Sequence, residues 1–311
     1  MHKIIPQEAV YFGQTNHIFY SFTILFYTMI KAICSDIDGT LLNSQRELSD
    51  RTITAIRAVK DKVPFILASS RMPSAMTHLQ KQLGIEDHPM ICYNGGYVLR
   101  RKVSGDAFDV LESAQISLAI CKKILSLADQ CSVHVSLFSR DDWYAQHQDQ
   151  WTLKEQLVTK VQPTIINFND VLASWSQGGI GAHKIMCMGV EYEVARLYAL
   201  LESQLAEDIH IYRSKSTYLE LAPRAVSKAS ALEIIMRKCF NTDLTDVMGF
   251  GDNYNDIEMI NSVGYGIAVE NGLPELKIGA REITTAGNAD GVAIVIERYF
   301  NLTPSDHKIK K

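Results

Sequence analysis

Two aspartates separated by a single residue are the most informative feature of this chain of 311 residues. Asp36 and Asp38 end an apolar run that begins near Ile30, and Gly39 and Thr40 follow them. Such a run is typical of a buried strand, and side chains two apart on a strand share a face. Because neighbouring carboxylates repel each other and oxygen ligands suit Mg²⁺, the sequence predicts a magnesium site where this strand ends. A solvated turn is the alternative, since Asp and Gly are common in turns.

Two further apolar runs, at residues 63–68 and 246–250, also end in polar residues. These polar residues are Ser69, Ser70, Arg71, Asp252, Asn255 and Asp256. If the three strands lie parallel in one sheet, their carboxyl ends meet at one edge, and there Asp252 joins the two aspartates around the metal. Hydroxyl and N–H groups at a helix N-terminus bind anions, and Lys228 adds a positive charge. We therefore expect the edge to bind a phosphoryl group beside Mg²⁺.

Several of these signals also have purely structural interpretations. The segment 69–71 resembles a helix cap, Lys228 taken alone resembles a solvated lysine, and the segment 94–96 is a good turn. His134 and His183 lie beside apolar residues, so we expect them to be packed rather than catalytic.

Composition narrows the class of protein. The chain is 47% hydrophobic with a net charge of −4, which does not indicate a nucleic-acid-binding surface. Its six cysteines form no Cys-x-x-Cys pair, which disfavours zinc and disulfide frameworks and fits a reducing cytoplasm. Residues 17–30 are apolar but shorter than the roughly 20 residues of a membrane span, so a membrane anchor and a signal peptide are both disfavoured. We interpret residues 1–28 as an N-terminal extension, with a misassigned start codon as one explanation.

The order of predicted elements indicates an α/β fold with an insertion. Strands and helices alternate over 29–112, which predicts a parallel sheet. Residues 113–217 change to an α+β pattern of a size that suits a separate small domain. The first pattern returns over 218–303, and residues 304–311 form a polar tail.

These motifs, in this order, resemble the haloacid dehalogenase superfamily, in particular its Cof-type class IIB branch, over residues 29–300. Asp-Ile-Asp-Gly-Thr at 36–40, Ala-Ser-Ser-Arg at 68–71, Lys228 and Gly-Asp-Asn-Tyr-Asn-Asp at 251–256 match the four family motifs. The resemblance implies a Rossmann-like core with an inserted α+β cap domain. Two departures stand out: Ser69 replaces the usual threonine and keeps its hydroxyl, whereas Ser70 replaces glycine and adds a side chain near the phosphate.

The resemblance implies a Mg²⁺-dependent phosphatase acting on small phosphorylated metabolites such as sugar phosphates. Asp36 would be the nucleophile and Asp38 the general acid and base. The metal would be held by Asp36, the Asp38 carbonyl and Asp252. Asp256 would support these ligands or contact the metal through a water. The residues expected to bind phosphate are Ile37, Ser69, Ser70, Lys228 and Asn255. The residues of a possible substrate loop are Arg71, Asn94 and Gly95.

Two alternatives remain open at this point. One is a phosphomutase of the same superfamily, and the other is a regulator that binds a phosphometabolite without turnover. A nicotinamide enzyme is disfavoured because no Gly-x-Gly-x-x-Gly follows the first strand. The sequence leaves the substrate and the oligomeric state open, and the insert residues that we consider for substrate contact are Trp143, Tyr144, His183 and Tyr212.

Overall fold

The structure, a computed structural model, describes residues 29–102, 105 and 107–302. The predicted N-terminal extension at 1–28 and the predicted tail at 304–311 lie outside the described residues. Within the described part of the chain, no helix combines the length and apolar character needed to cross a bilayer.

The described residues form fourteen strands and ten α-helices, joined by short 3₁₀ turns and one π-turn. The strands are β1 Ala32–Asp36, β2 Phe65–Ala68, β3 Met90–Cys92, β4 Tyr97–Arg101, β5 Phe108–Ser113, β6 His134–Ser139, β7 Asp142–Ala145, β8 Thr164–Ile165, β9 Lys184–Met188, β10 Ile209–Lys215, β11 Tyr218–Pro223, β12 Val247–Gly251, β13 Tyr265–Val269 and β14 Glu282–Thr284. The helices are α1 Asp50–Val59, α2 Ser74–Leu83, α3 Leu118–Ala128, α4 Gln150–Thr159, α5 Phe168–Gly178, α6 Glu191–Leu205, α7 Lys228–Ile235, α8 Ile257–Ser262, α9 Pro274–Gly279 and α10 Gly291–Tyr299.

The larger sheet has eight strands in the order β14-β13-β12-β1-β2-β3-β4-β5. Its first six strands are parallel, and the hairpin β4–β5 extends it antiparallel. Alternate residues of β1 lie on opposite faces of the sheet. Ile33 belongs to the apolar cluster formed with α1, α2 and α10, whereas Cys34 belongs to the cluster formed with α7, α8 and α9. This alternation explains why β1 is apolar on both sides and confirms the predicted α/β core.

The insert forms a second, six-stranded sheet in the order β10-β11-β9-β6-β7-β8. Helices α3, α5 and α6 cover one of its faces around a separate apolar core. Its other face carries Phe138, Trp143, Met186 and Tyr218, which join the apolar cluster of the larger sheet. The insert therefore lies against the core through this second face.

The predicted boundary at 217/218 is wrong. Tyr218–Pro223 pairs with β9 and β10, so this strand belongs to the insert and the chain returns to the core only after Pro223. The alternation of Leu219 and Leu221 with Tyr218 and Glu220 fits a sheet covered by helices on one face, which separates it from the doubly covered strands of the core.

Most other predicted elements are present within a few residues of their expected ends. Ser49 caps α1 by accepting a hydrogen bond from the Thr52 N–H, and Gly84 ends α2 with a left-handed backbone. The prediction missed α5, β8 and β14.

Candidate active site

The carboxyl ends of β1, β2 and β12 bring three of the four motifs to one edge. In the parallel register Asp36 lies opposite Ala68, and Ser35 lies opposite Phe250. The turns that follow these partners therefore flank Asp36 on both sides. This placement is the one predicted from the sequence.

Lys228, the first residue of α7, supplies the positive charge at the centre of this edge. Its Nζ donates to Asp36 Oδ1 at 2.5 Å and to Asp256 Oδ1 at 2.6 Å. The side chain is fully buried, and both partners are nearly so. Its two carboxylate neighbours raise the pKa of Lys228 despite burial, so the lysine is held as an ammonium ion.

Asp256 links Lys228 to the turn after β12. Its Oδ2 accepts hydrogen bonds from the backbone N–H groups of Asp252 and Asn253, at 3.0 and 3.1 Å. Both carboxylate oxygens of Asp256 are thus already engaged by protein donors. This geometry supports a role in orienting Lys228 and the Asp252 turn rather than direct contact with a metal.

Asp252 is positioned by the first motif. Thr40 Oγ1 donates to Asp252 Oδ1 at 3.0 Å. Gly39 has φ +94°, and a Cβ at this position would lie 2.3 Å from Asp252 Oδ2. The glycine of the first motif is therefore required both for the backbone conformation and for the close approach of this carboxylate.

Three carboxylates of the edge form a group that can hold a metal ion. Asp36, Asp252 and Asp256 each place one oxygen within 4.8 Å of the others. Burial and the charges of Asp256 and Asp252 raise the pKa of Asp36 although Lys228 opposes them, and burial together with Asp256 raises the pKa of Asp252 to about 6. One ammonium against two buried carboxylates and the half-buried carboxylate of Asp252 leaves a negative charge that a divalent cation with oxygen ligands would offset.

Asp38 is held by two arginines. Arg71 donates from Nε to Oδ2 and from Nη2 to Oδ1, both at 2.7 Å, and Arg46 donates from Nη2 to Oδ1 at 2.5 Å. Burial alone would raise the pKa of Asp38, but the hydrogen bonds and charge of Arg71, with the charge of Arg46, lower it overall. Arg71, predicted for a substrate loop, thus orients the Asp38 carboxylate in this structure.

Arg46 was missed by the sequence analysis. It lies in the loop after the first motif, outside every recognised motif, and its φ of 62° places it in a left-handed turn. The hydrogen bonds from the Gln45 and Glu47 N–H groups to Asn43 Oδ1 shape this turn. Asn43 was therefore the available signal, because Asn favours such turns.

The second motif lies beside the nucleophile candidate. Ser69 is buried, and its Oγ accepts from the Arg71 N–H at 3.3 Å. The Asn94 N–H donates to the Ser69 carbonyl, and Asn94 Oδ1 accepts from Asn255 Nδ2 at 2.9 Å. Asn94 and Asn255 therefore tie the second and fourth motifs together.

Ile37, Ser70 and Gly95 take different positions. The Ile37 side chain is buried in the core, so only its backbone faces the site. Ser70 is half-buried, and its carbonyl accepts from Lys184 Nζ of the insert. A Cβ on Gly95 would lie 2.4 Å from the Ser227 carbonyl, which places this glycine against the start of α7, next to Lys228.

The four insert residues considered for substrate contact lie in different places. Tyr144 packs against Trp175 on the helix-covered face, away from the core. His183 is fully buried, with Nδ1 accepting from the Arg140 N–H and Nε2 beside Ser113 Oγ. Trp143 is buried on the face toward the core. Tyr212 is half-buried, and burial raises its pKa to about 12 although the charge of Lys228 opposes the change.

His134 is also a packed residue. Its Nδ1 contacts Asp149 Oδ2 at 2.8 Å and its Nε2 contacts Ser136 Oγ at 2.9 Å. Both ring nitrogens have partners inside the insert, and Ser136 is fully buried.

A sequence profile of the haloacid dehalogenase-like hydrolases matches residues 33–296, a span that includes both parts of the core and the whole insert. The chain belongs to the haloacid dehalogenase-like hydrolases. This finding confirms the resemblance drawn from the motifs.

Named relatives of this haloacid dehalogenase-like hydrolase are phosphatases. A Haemophilus influenzae protein described as "Putative phosphatase" is 30% identical over 275 residues, covering 88% of this chain and 99% of the relative. An HMP-PP phosphatase of Yersinia pseudotuberculosis is 26% identical over 277 residues, covering 88% and 96%. The predicted enzyme class, a phosphatase of this superfamily, is confirmed.

Solved structures agree on the fold. A haloacid dehalogenase-like hydrolase from Bacteroides thetaiotaomicron superposes with a TM-score of 0.77 at 25% identity, covering 87% of this chain and all of that one. A Thermotoga maritima protein superposes with a TM-score of 0.75 at 26% identity, covering 87% and 97%. Both cover the insert as well as the core.

Proposed function

We propose that this protein is a Mg²⁺-dependent phosphatase that hydrolyses small phosphorylated metabolites through a phosphoryl group carried on Asp36. The observation that supports this most strongly is the buried ion-pair group at the sheet edge, in which Lys228 bridges Asp36 and Asp256. A nucleophilic carboxylate needs a cation beside it to meet an anionic phosphate in a dry site.

The residues present fit a magnesium ion. Asp36 and Asp252, with the Asp38 carbonyl, are the proposed ligands, and Asp256 supports them through the N–H groups of the Asp252 turn. When bound, Mg²⁺ would neutralise charge on the phosphoryl oxygens. All three proposed ligands offer the oxygen atoms that this ion prefers.

Each step of the proposed phosphoryl transfer is assigned to a side chain of this protein. Asp36 attacks phosphorus, so that a carboxylate oxygen–phosphorus bond forms as the bond to the leaving oxygen breaks. Asp38 gives a proton to the leaving alcohol, and it later takes one from the water that attacks phosphorus as the bond to Asp36 breaks. To carry that proton, Asp38 must first be released from Arg71 and Arg46, which favour its ionised form in this structure. Lys228 offsets the charge of Asp36 during the approach, and Arg71 orients Asp38.

The phosphate contacts are assigned to the second and fourth motifs. The Ser69 hydroxyl, the backbone N–H groups of Ile37 and Ser70, and the Asn255 amide are the proposed donors. Ser69 is 2% exposed, and Asn255 is fixed by Asn94, so these donors are held in place before substrate binds. The insert, which contacts the 70–74 segment directly, is the proposed cap that excludes water.

Phosphate release from p-nitrophenyl phosphate, with Mg²⁺ and with EDTA, tests this proposal. A panel of sugar phosphates, nucleotides, flavin mononucleotide and HMP-PP, the compound named for the Yersinia relative, then addresses the substrate. We expect Mg²⁺-dependent release that Asp36→Asn abolishes. Full activity in Asp36→Asn, or in EDTA, would overturn it, and an isomerised sugar phosphate as product would identify a mutase instead.

A further inference from the structure

The insert places one buried lysine directly at residues 69–71, which we call the phosphate loop because Ser69 and Ser70 are proposed phosphate donors. Lys184, the first residue of β9, is 8% exposed, and its Nζ donates to the Ser70 carbonyl at 2.9 Å. The ammonium also lies 4.5 Å from the centre of the Phe138 ring and 5.8 Å from that of Tyr93. Aromatic faces attract a cation, but they do not neutralise its charge.

Lys184 has no paired carboxylate. Among the residues that the structure describes, none places a carboxylate oxygen within 4.0 Å of its Nζ. Glu155 lies in the same region, where burial raises its pKa and Lys184 opposes the change. A buried ammonium without an anionic partner is costly, and buried charges in proteins are usually paired.

An unsatisfied donor lies in the same row of the sheet as Lys184. Trp143 pairs with Phe138, and Phe138 pairs with Lys184, so the three residues lie side by side across β7, β6 and β9. The Trp143 ring stacks on Phe138 with 5.6 Å between ring centres. Its Nε1–H is buried and, among the described residues, has no hydrogen-bond acceptor.

The contact with Ser70 places Lys184 beside the segment that follows β2. Asp36 lies opposite Ala68, the last residue of β2, and Ser70 follows two residues later. A substrate with its phosphoryl group at Asp36 would therefore have its leaving part next to a segment that Lys184 contacts. A carboxylate or a second phosphoryl group in that leaving part is the chemistry that an ammonium ion would bind.

Resting on the proposed phosphatase function, we infer that Lys184 is a specificity-determining residue that binds a second anionic group of the substrate. The preferred substrates are then phosphate esters or diphosphates that carry another negative charge beside the scissile group. Monophosphates of uncharged sugars, with no second anionic group, are weaker ligands. The contact of Lys184 with Ser70 also means that this group is recognised only where the insert meets the phosphate loop.

The experiment compares matched ligands in the Asp36→Asn protein with Mg²⁺, where binding is measured by calorimetry without turnover. The first pair is 3-phosphoglycerate and glycerol 3-phosphate, in which a hydroxymethyl group takes the place of the carboxylate. The second pair is fructose 1,6-bisphosphate and fructose 6-phosphate, which differ in a second phosphoryl group. The two pairs distinguish the two sources of negative charge.

We expect the more anionic member of at least one pair to bind about tenfold or more tightly than its partner. Lys184→Met, which keeps the apolar contact with Phe138, should remove this preference, and Lys184→Arg should keep it. Asp141→Ala serves as the control, because Asp141 accepts a hydrogen bond from the Ser74 N–H, another contact that joins insert and core. It should weaken both members equally.

Equal binding within both pairs, a preference that survives Lys184→Met, or no binding of any of the four ligands would overturn the inference. Equal losses for both members in Lys184→Met would assign the lysine to docking of the insert alone. Hydrolysis of p-nitrophenyl phosphate by the unmodified protein reports separately on the proposed function.

Discussion

At the scale of single residues, Lys228 determines the charge balance of the site. Its ammonium lies between two carboxylates, Asp36 and Asp256, and its side chain is fully buried. An ion pair of this kind contributes little net stability, but removal of one partner leaves a buried charge unpaired.

Lys228→Met should therefore reduce both activity and stability. We expect kcat to fall at least about 10²-fold, since a preorganised charge at the reacting group is lost, and the free energy of unfolding to fall by about 3 kcal/mol. Chemical denaturation and phosphate release measure the two effects. The double variant Lys228→Met/Asp256→Asn should regain part of the stability but none of the activity, and a double variant less stable than the single would contradict this account.

Gly39 offers a second prediction at this scale, because its missing side chain leaves room for Asp252. In Gly39→Ala the new Cβ would lie 2.3 Å from Asp252 Oδ2 and displace it. We expect the Mg²⁺ concentration for half-maximal activity to rise about tenfold or more. Gly105→Ala is the matched control, because Gly105 also has a positive φ, +110°, but no atom of the described residues lies within 4 Å of the added Cβ. The same change in both variants would show that backbone strain, not displacement of Asp252, is responsible.

At the scale of elements, the start of β9 joins the insert to the core. His183 contacts Ser113 of β5, accepts from the Arg140 N–H of the β6–β7 turn, and packs on Tyr93 and Tyr97 with ring centres 5.7 and 4.7 Å away. Burial, reinforced by the charge of Arg140, lowers the pKa of His183 from 6.5 to about 4. The histidine is therefore neutral in the folded protein at neutral pH.

This junction should be sensitive to acid. Between pH 6.5 and about 4 the unfolded chain binds a proton at His183 that the folded chain does not, so stability falls as pH falls through this window. The loss from this residue is at most about 3 kcal/mol. In His183→Asn we expect lower stability at pH 7 but a smaller decrease from pH 7 to 4, measured as the thermal midpoint. His147→Asn, at an exposed position, should keep the decrease of the unmodified protein; a decrease of the same size in His183→Asn would contradict the assignment.

Strands that end in acids were predictable because burial and charge change abruptly at their ends, as in β1 and β12. Helix α5 was also predictable in principle: Phe168, Val171 and Trp175 have helical spacing, Asn167 caps it, and Gly179 ends it. Strand β14 was not, because three residues at a sheet edge carry no periodic pattern. The placement of β11 in the insert follows from its pairing with β9, and the alternation of Leu219 and Leu221 with Tyr218 and Glu220 was the local signal for it.

At the scale of the whole molecule, the site is assembled from segments far apart in the chain. Lys228 is 192 residues from Asp36, and Arg71 is 33 residues from Asp38. The motifs predicted which residues meet, because the parallel sheet brings strand ends together. The arginine pair on Asp38 and the Lys184 contact were not predictable, since they depend on how a loop and the insert fold over that edge.

The account depends on Asp36 carrying the phosphoryl group, and the most direct test is to trap it there. Asp38→Asn lacks the proposed base for the second step, whereas p-nitrophenolate leaves without the proposed acid of the first step. The phosphorylated form should therefore accumulate when this variant is incubated with p-nitrophenyl phosphate and Mg²⁺. Acid quenching followed by peptide mass spectrometry should find the added mass of one phosphoryl group on Asp36. Phosphate release by the unmodified protein, with no phosphoryl group on Asp36 in either protein, would contradict the account.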